Sequence, residues 1–239
     1  MDPDIDLIDT EIMGAMKLPG CPVCTLLVSI EDRYLRSLLR EGICDAYVRA
    51  RLRRGRGLCH RHAWALQELE AREFGDGMSN AILEEDILLS LLEEDLEQSE
   101  GRPSRRRWLR RRAKEEAGLP AGALRPGEPC AVCAHLESFT HIYCKRTADR
   151  VNGSYRDAYV SSDGLCLPHF IRTLDLMPGA SERAAVIAMQ RRKIEGLVGE
   201  LREYIRKHDY RFRNEPKGPE QDAWIRAVRL LVGNREAHG

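Results

Sequence analysis

The strongest constraint on this chain is a pair of short cysteine hooks that occurs twice. Cys21-Pro22-Val23-Cys24 is followed by Gly57-Leu58-Cys59-His60-Arg61-His62. Cys130-Ala131-Val132-Cys133 is followed in the same way by Gly164-Leu165-Cys166-Leu167-Pro168-His169. Between the inner cysteines lie 34 residues in the first copy and 32 in the second. One Cys-x-x-Cys carries little information, but two copies completed by Cys-x-x-His at nearly equal distance point to metal. Two residues between ligands let one tight turn or first helical turn aim two side chains at a single point. A second hook then completes a tetrahedron.

The spacing predicts an internal duplication with one ion per half. Cys21, Cys24, Cys59 and His62 are expected to hold the first ion, and Cys130, Cys133, Cys166 and His169 the second. Three thiolates and an imidazole suit Zn²⁺, two per chain, in closed structural sites. An iron–sulfur cluster on the same ligands, a redox Cys-x-x-Cys and plain buried thiols are the alternatives. Helical periodicity follows each hook, which places the ligands at helix N-termini, where free amides and the helix dipole stabilise thiolates. His60 is one residue out of register with its counterpart Leu167, so His62 is the expected ligand. Cys44 and Cys144 sit at unequal distances from their hooks and are read as buried free thiols. His135 and His141 have no counterpart in the first half and are not expected to be ligands.

Periodicity gives an all-α fold class: two pseudo-repeated zinc-clamped helical halves with long C-terminal helices packed across them. The expected division is a first half at 1–100, a basic, Pro- and Gly-rich linker at 101–129, and a second half at 130–239. Ser79 is the expected N-cap of a helix whose apolar stripe is Ile82, Leu88, Leu89, Leu92 and Leu96. A helix from about 181 to 208 is long enough to brace both halves, and Lys207-His208-Asp209-Tyr210-Arg211-Phe212-Arg213 reads as a helix-terminating network that docks the tail. Only Arg156-Asp157-Ala158-Tyr159-Val160 suggests extended structure.

Charge is balanced, with 38 Lys and Arg against 38 Asp and Glu, so the chain as a whole has no polyanion-binding character. Two arginine runs stand out locally, Arg49 to Arg56 and Arg102 to Arg112 around Trp108. They keep a nucleic-acid-binding module in play as a second alternative. His208 beside Asp209, or an exposed metal, would support a metal-dependent or thiol-redox enzyme. Closed Cys3His shells favour a non-enzymatic zinc scaffold with a protein partner. Eight cysteines, six of them in the paired hooks, an acidic lead-in unlike a signal peptide, and no long apolar run predict a soluble cytoplasmic protein without membrane contact.

The chain resembles an uncharacterised bacterial family known as a domain of unknown function. The resemblance rests on Cys21 to Cys24 with Arg33-Tyr34-Leu35, and on Gly57 to His62 with Ala63-Trp64. It continues in Gly75-Asp76-Gly77 before Ala81-Ile82-Leu83, the second hook pair through Phe170, and Lys207 to Phe212. It implies the paired-hook architecture and brings no activity with it.

Overall fold

A computed structural model of the chain describes residues 6–92, 125–212 and 214–234, and every regular element among them is helical. The α-helices are α1 (Leu7–Ala15), α2 (Pro22–Arg40), α3 (Ala46–Gly55), α4 (His60–Glu73) and α5 (Met78–Ser90). They continue as α6 (Ala131–Arg150), α7 (Arg156–Ser161), α8 (Leu167–Asp175), α9 (Ala180–Lys207) and α10 (Ala223–Val232). Short 3-10 turns lie at Gly42–Cys44 and Pro219–Asp222.

The chain divides into two compact units, and they are not the expected halves. One joins Met1–Ile30 to Glu137–Gly239; the other is Glu31–Leu136. The boundary falls inside α2 and again inside α6, so each of these helices starts in one unit and ends in the other. Most of the expected linker lies outside the described residues, as do Trp108 and the arginines around it. Both C-terminal helices belong to the first unit, where α10 packs on α8 and α9. The long α9 buries Val186, Met189 and Gln190, all in its first half.

In the first unit, α1 is anchored through its own cap. Asp6 and Asp9 form a capping box, each accepting the other's backbone amide at 2.9 Å. Asp9 is also fully buried. Its carboxylate accepts from the Tyr155 hydroxyl, from Arg146 at 3.0 Å and faces Arg150 at 3.2 Å. Burial pushes the Asp9 pKa up, but the Tyr155 hydroxyl, the Asp6 amide and Arg146 outweigh it and bring it to about 2. Tyr155 and Tyr159 are four residues apart and both fully buried. That period belongs to a helix, so the one stretch that left room for extended structure forms α7.

In the second unit, Leu35, Leu38, Leu52, Leu66, Leu69, Leu83 and Ile87 are buried. Helix α5 turns a different face inward from the expected stripe: Leu83, Ile87 and Ser90 are buried while Leu88, Leu89 and Leu92 are exposed. Two polar anchors set that rotation. The buried carboxylate of Glu70 on α4 accepts the amides of Ser79 (2.6 Å) and Asn80 (2.9 Å), the second and third residues of α5. It thereby caps the helix that Ser79 was expected to cap, with its negative charge at the positive end of the dipole. About two turns further on, Asp86 accepts from Arg49 (2.6 Å) and Arg53 (2.9 Å) of α3.

The depressed pKa of Asp9 has a defined pH consequence. A carboxyl whose folded pKa lies below the unfolded value stabilises the fold above the unfolded pKa, about 3.9. That contribution is lost as pH falls toward about 2. Asp9→Asn should cost about 1–3 kcal/mol at neutral pH, because four donors, the Asp6 amide, Tyr155, Arg146 and Arg150, lose their charged partner. The variant should also show a weaker loss of stability between pH 4 and 2 than the native chain, as read by chemical denaturation at each pH. An unchanged acid limb would show that Asp9 is not the titrating anchor.

Candidate metal centres

Four helices begin at a hook cysteine. The carbonyls of Cys21, Cys59, Cys130 and Cys166 accept the first helical amides, from Thr25 (3.1 Å), Ala63 (2.9 Å), Ala134 (3.0 Å) and Phe170 (2.8 Å). Each of these cysteines is therefore the N-cap. The second member of each hook, Cys24, His62, Cys133 or His169, is the third helical residue. Side chains at these two positions meet over the open end of the helix, as in a capping box. That is the local reason for two intervening residues. Pro22 and Pro168 fall in the first turn, where a missing amide hydrogen costs no helical bond.

The two Gly-Leu-Cys turns share one conformation. Gly57 and Gly164 have φ of 87° and 83°, in the region that favours glycine. Cys59 (φ −67°, ψ 164°) and Cys166 (φ −66°, ψ 157°) then enter the helix alike.

The hooks associate crosswise. Cys21 and Cys24 meet Cys166 and His169 in the first unit, and Cys59 and His62 meet Cys130 and Cys133 in the second. Within each group the four candidate ligand atoms lie within 4.8 Å of one another. The expected partition, Cys21 and Cys24 with Cys59 and His62, is thereby corrected. The crossing follows chain order: α2 starts in the first unit and ends in the second, so Cys59 and His62 belong to the second unit, and α6 returns the chain to the first.

The spacings fit a tetrahedral ion. Bond lengths of ~2.3 Å to sulfur and ~2.0–2.1 Å to nitrogen imply about 3.8 Å between sulfurs and about 3.6 Å from sulfur to nitrogen. In the first group Cys24 Sγ lies 3.6 Å from Cys166 Sγ, and His169 Nδ1 lies 3.5, 3.4 and 3.2 Å from the sulfurs of Cys21, Cys24 and Cys166. In the second, Cys59 and Cys133 sulfurs are 3.7 Å apart, and His62 Nδ1 lies 3.1, 3.5 and 3.3 Å from Cys59, Cys130 and Cys133. All eight cysteines are free thiols.

Within each group the thiols shift one another's pKa. Burial opposes ionisation of Cys130, but His62 and the amides of Cys59, Cys133 and Val132 bring its pKa to about 6. Cys21 is lowered too: burial opposes, and Cys166, Cys24 and His169 prevail. Burial and the Cys130 charge push Cys133 up to about 12. At Cys24 the bond to Cys166 lowers the pKa, but Cys21 and burial drive it to about 12. A divalent ion binding either group displaces the protons held on these sulfurs.

The sequence model of a family of unknown function, DUF6062, matches residues 8–238. The chain belongs to that family. A relative from Caldicellulosiruptor sp. (strain Rt8B.4), described as an uncharacterized 23.9 kDa protein in the xynA 3' region, is 23% identical over 218 residues. The match covers 90% of this chain and 96% of the relative. No solved structure matches.

The other residues singled out by sequence fall outside both groups. His60 is exposed and meets the Trp64 ring edge-on. His135 packs on Tyr34, and His141 is exposed. Cys144 is buried as expected, whereas Cys44 is exposed, a correction. His208 Nδ1 bonds the Tyr204 carbonyl at 2.8 Å and Asp209 binds Arg211, so the adjacent pair is spent on separate partners. Lys207 reaches the Pro216 carbonyl (2.6 Å) and Glu220 (3.0 Å), which makes this segment the tail-docking network anticipated.

One supporting residue gave no sequence signal. Gln190 is buried on α9, and its amide group spans the Cys166 loop. Its Nε2 donates to the Leu165 carbonyl at 2.8 Å, while its Oε1 accepts from the Leu165 amide at 3.3 Å and from the Tyr159 hydroxyl. A Cβ at Gly164 would stand 2.5 Å from Gln190 Oε1, whereas one at Gly57 would meet only Ile87 Cδ1 at 3.6 Å. Both Gly→Ala changes therefore carry the left-handed cost, about 1 kcal/mol. Gly164→Ala adds a clash with a fixed amide and should cost at least ~1 kcal/mol more, the scale of overpacking. Denaturant titration of the two variants checks the order, and equal losses would contradict it.

Proposed function

We propose that this chain is a zinc-binding structural or interaction protein with two Cys3His centres, acting by binding a partner rather than by catalysis. One observation carries the reading: each unit gathers three cysteines and a histidine at tetrahedral spacing. Such a set takes all four positions and leaves none for an activated water. Each ion would cross-link elements distant in sequence, so it stabilises by restricting the unfolded chain and by its own ligand bonds.

Compartment and partner follow from the same reading. Thiols kept as ligands fit a reducing compartment, for which the cytoplasm is our choice. Among the described residues no helix is long and apolar enough to cross a membrane. A protein partner is favoured over nucleic acid, because Arg49 and Arg53 already face Asp86, and Arg51 and Arg54 face Glu128. The run at 102–112 lies outside the described residues.

Metal analysis of protein purified without an affinity tag should give about two zinc per chain and no visible iron–sulfur absorption. The crossed pairing makes a sharper forecast. Cys24→Ser with Cys166→Ser should abolish one centre and leave one zinc. Cys24→Ser with Cys59→Ser should abolish both. The reverse pattern would restore the within-half pairing, and metal-free or iron-containing protein would remove the zinc reading. Chelation should lower helicity and thermal midpoint together; a metal-free chain with its native stability would show that the ions are not structural.

A further inference from the structure

We propose that Glu31 is a positioning residue for the metal centre of the second unit, holding the His62 ring with Nδ1 toward the ion. The inference rests on the zinc reading above. Glu31 lies on α2, seven residues past Cys24, and is buried. Its Oε2 accepts from Arg61 Nη2 at 2.6 Å, and its Oε1 lies 3.4 Å from His62 Nε2. The His62 ring thus stands between three cysteine sulfurs at Nδ1 and one carboxylate at Nε2.

The chemistry of imidazole gives this contact its meaning. If Nδ1 donates its lone pair to a metal, Nε2 must carry the ring proton. That atom is buried and makes no hydrogen bond of proper geometry in the structure. A buried donor left without an acceptor is costly, and the Glu31 oxygen stands a few tenths of an ångström beyond normal hydrogen-bond range. Closing the gap yields a carboxylate–imidazole–metal relay. Such a relay fixes the ring's tautomer and orientation and raises the basicity of the liganding nitrogen. Arg61, one residue before His62, holds the other carboxylate oxygen. Glu31 is thereby kept oriented by the same helical turn that carries the ligand.

The two units differ at this register. The position seven residues past the inner cysteine of the second hook is Thr140, a buried hydroxyl without charge. Loss of the Glu31 charge should therefore weaken one centre only. An ordinary ion pair between Glu31 and Arg61, with no role toward the metal, would instead affect the metal-free fold.

The test compares the zinc-loaded full chain with Glu31→Gln, which keeps the shape and removes the charge. Both are titrated with a chelator while exposed thiols are alkylated, and labelled cysteines are read by peptide mass spectrometry. In Glu31→Gln, labelling of Cys59, Cys130 and Cys133 should begin at about 10- to 100-fold lower chelator, the usual loss for such a partner. Cys21, Cys24 and Cys166 should label as in the native chain. Glu31→Asp should recover part of the difference, and the thermal midpoint of the metal-free chain should be the same in native and Glu31→Gln proteins. Equal chelator dependence in both proteins would overturn the proposal, as would parallel loss at both centres or a metal-free form destabilised as much as the loaded one. Native protein that binds no zinc would overturn the metal reading itself, and that result is seen before any variant is compared.

Discussion

Closure of each unit by two hooks far apart in sequence is the constraint on which the remaining structure depends. Cys24 and Cys166 are separated by 142 positions, Cys59 and Cys133 by 74. The entropy of closing a loop grows as (3/2)RT ln n. An ion bound at each group would therefore restrict the unfolded chain by about 1 kcal/mol more than links within a half. The closures are also nested, the 59–133 pair lying inside the 24–166 pair. Joining the inner pair first shortens the loop that the outer pair must close, which gives an order of assembly that two side-by-side closures would lack.

The identities of the eight candidate ligands could be read from sequence because hook chemistry is local. N-cap and third-residue side chains meet whatever the rest of the chain does, so the Cys-x-x-Cys and Cys-x-x-His spacings carry the whole signal. The choice of His62 over His60 is of the same kind. Partner choice is a long-range property, and the near-equal separations of 34 and 32 residues say nothing about it. No local rule records that α2 starts in one unit and ends in the other, which is what parts Cys24 from Cys59.

Other departures trace to buried polar groups that supply geometry instead of hydrophobic pattern. The rotation of α5 follows from Glu70 at its amino end and Asp86 on its flank, and no apolar periodicity records either. Gln190 similarly belongs to α9 by sequence and to the Cys166 loop by hydrogen bonding. In each case a side chain on one helix satisfies backbone groups or side chains on another element. These pairings arise between residues 9 to 37 positions apart, beyond the reach of local rules. The long α9 needed only periodicity and turn residues: it was expected from about 181 to 208 and spans Ala180–Lys207, whereas α1 and α7 were not read as helices.

The arginine run of α3 shows how a composition signal changes meaning once its surroundings are known. In sequence, Arg49 to Arg56 is a candidate phosphate surface. In the structure Arg49 and Arg53 tie α3 to α5 through Asp86, and the C-terminal end of α3 holds the segment leading to Cys130. Arg54 Nε meets Glu128 at 2.5 Å, and the Gly127 amide donates to the Arg54 carbonyl at 2.9 Å. Singly, a partly exposed ion pair contributes little, of order 0–1 kcal/mol. Here the pair acts with a backbone hydrogen bond on three residues directly before a candidate ligand, Cys130, so its effect is on where the hook starts. Helix α3 thus approaches the second unit's centre twice along the chain, through the Gly57 turn into Cys59 and through the 127–129 segment into Cys130. Its positive charge is spent on Asp86 of α5 and on Glu128, two residues before Cys130.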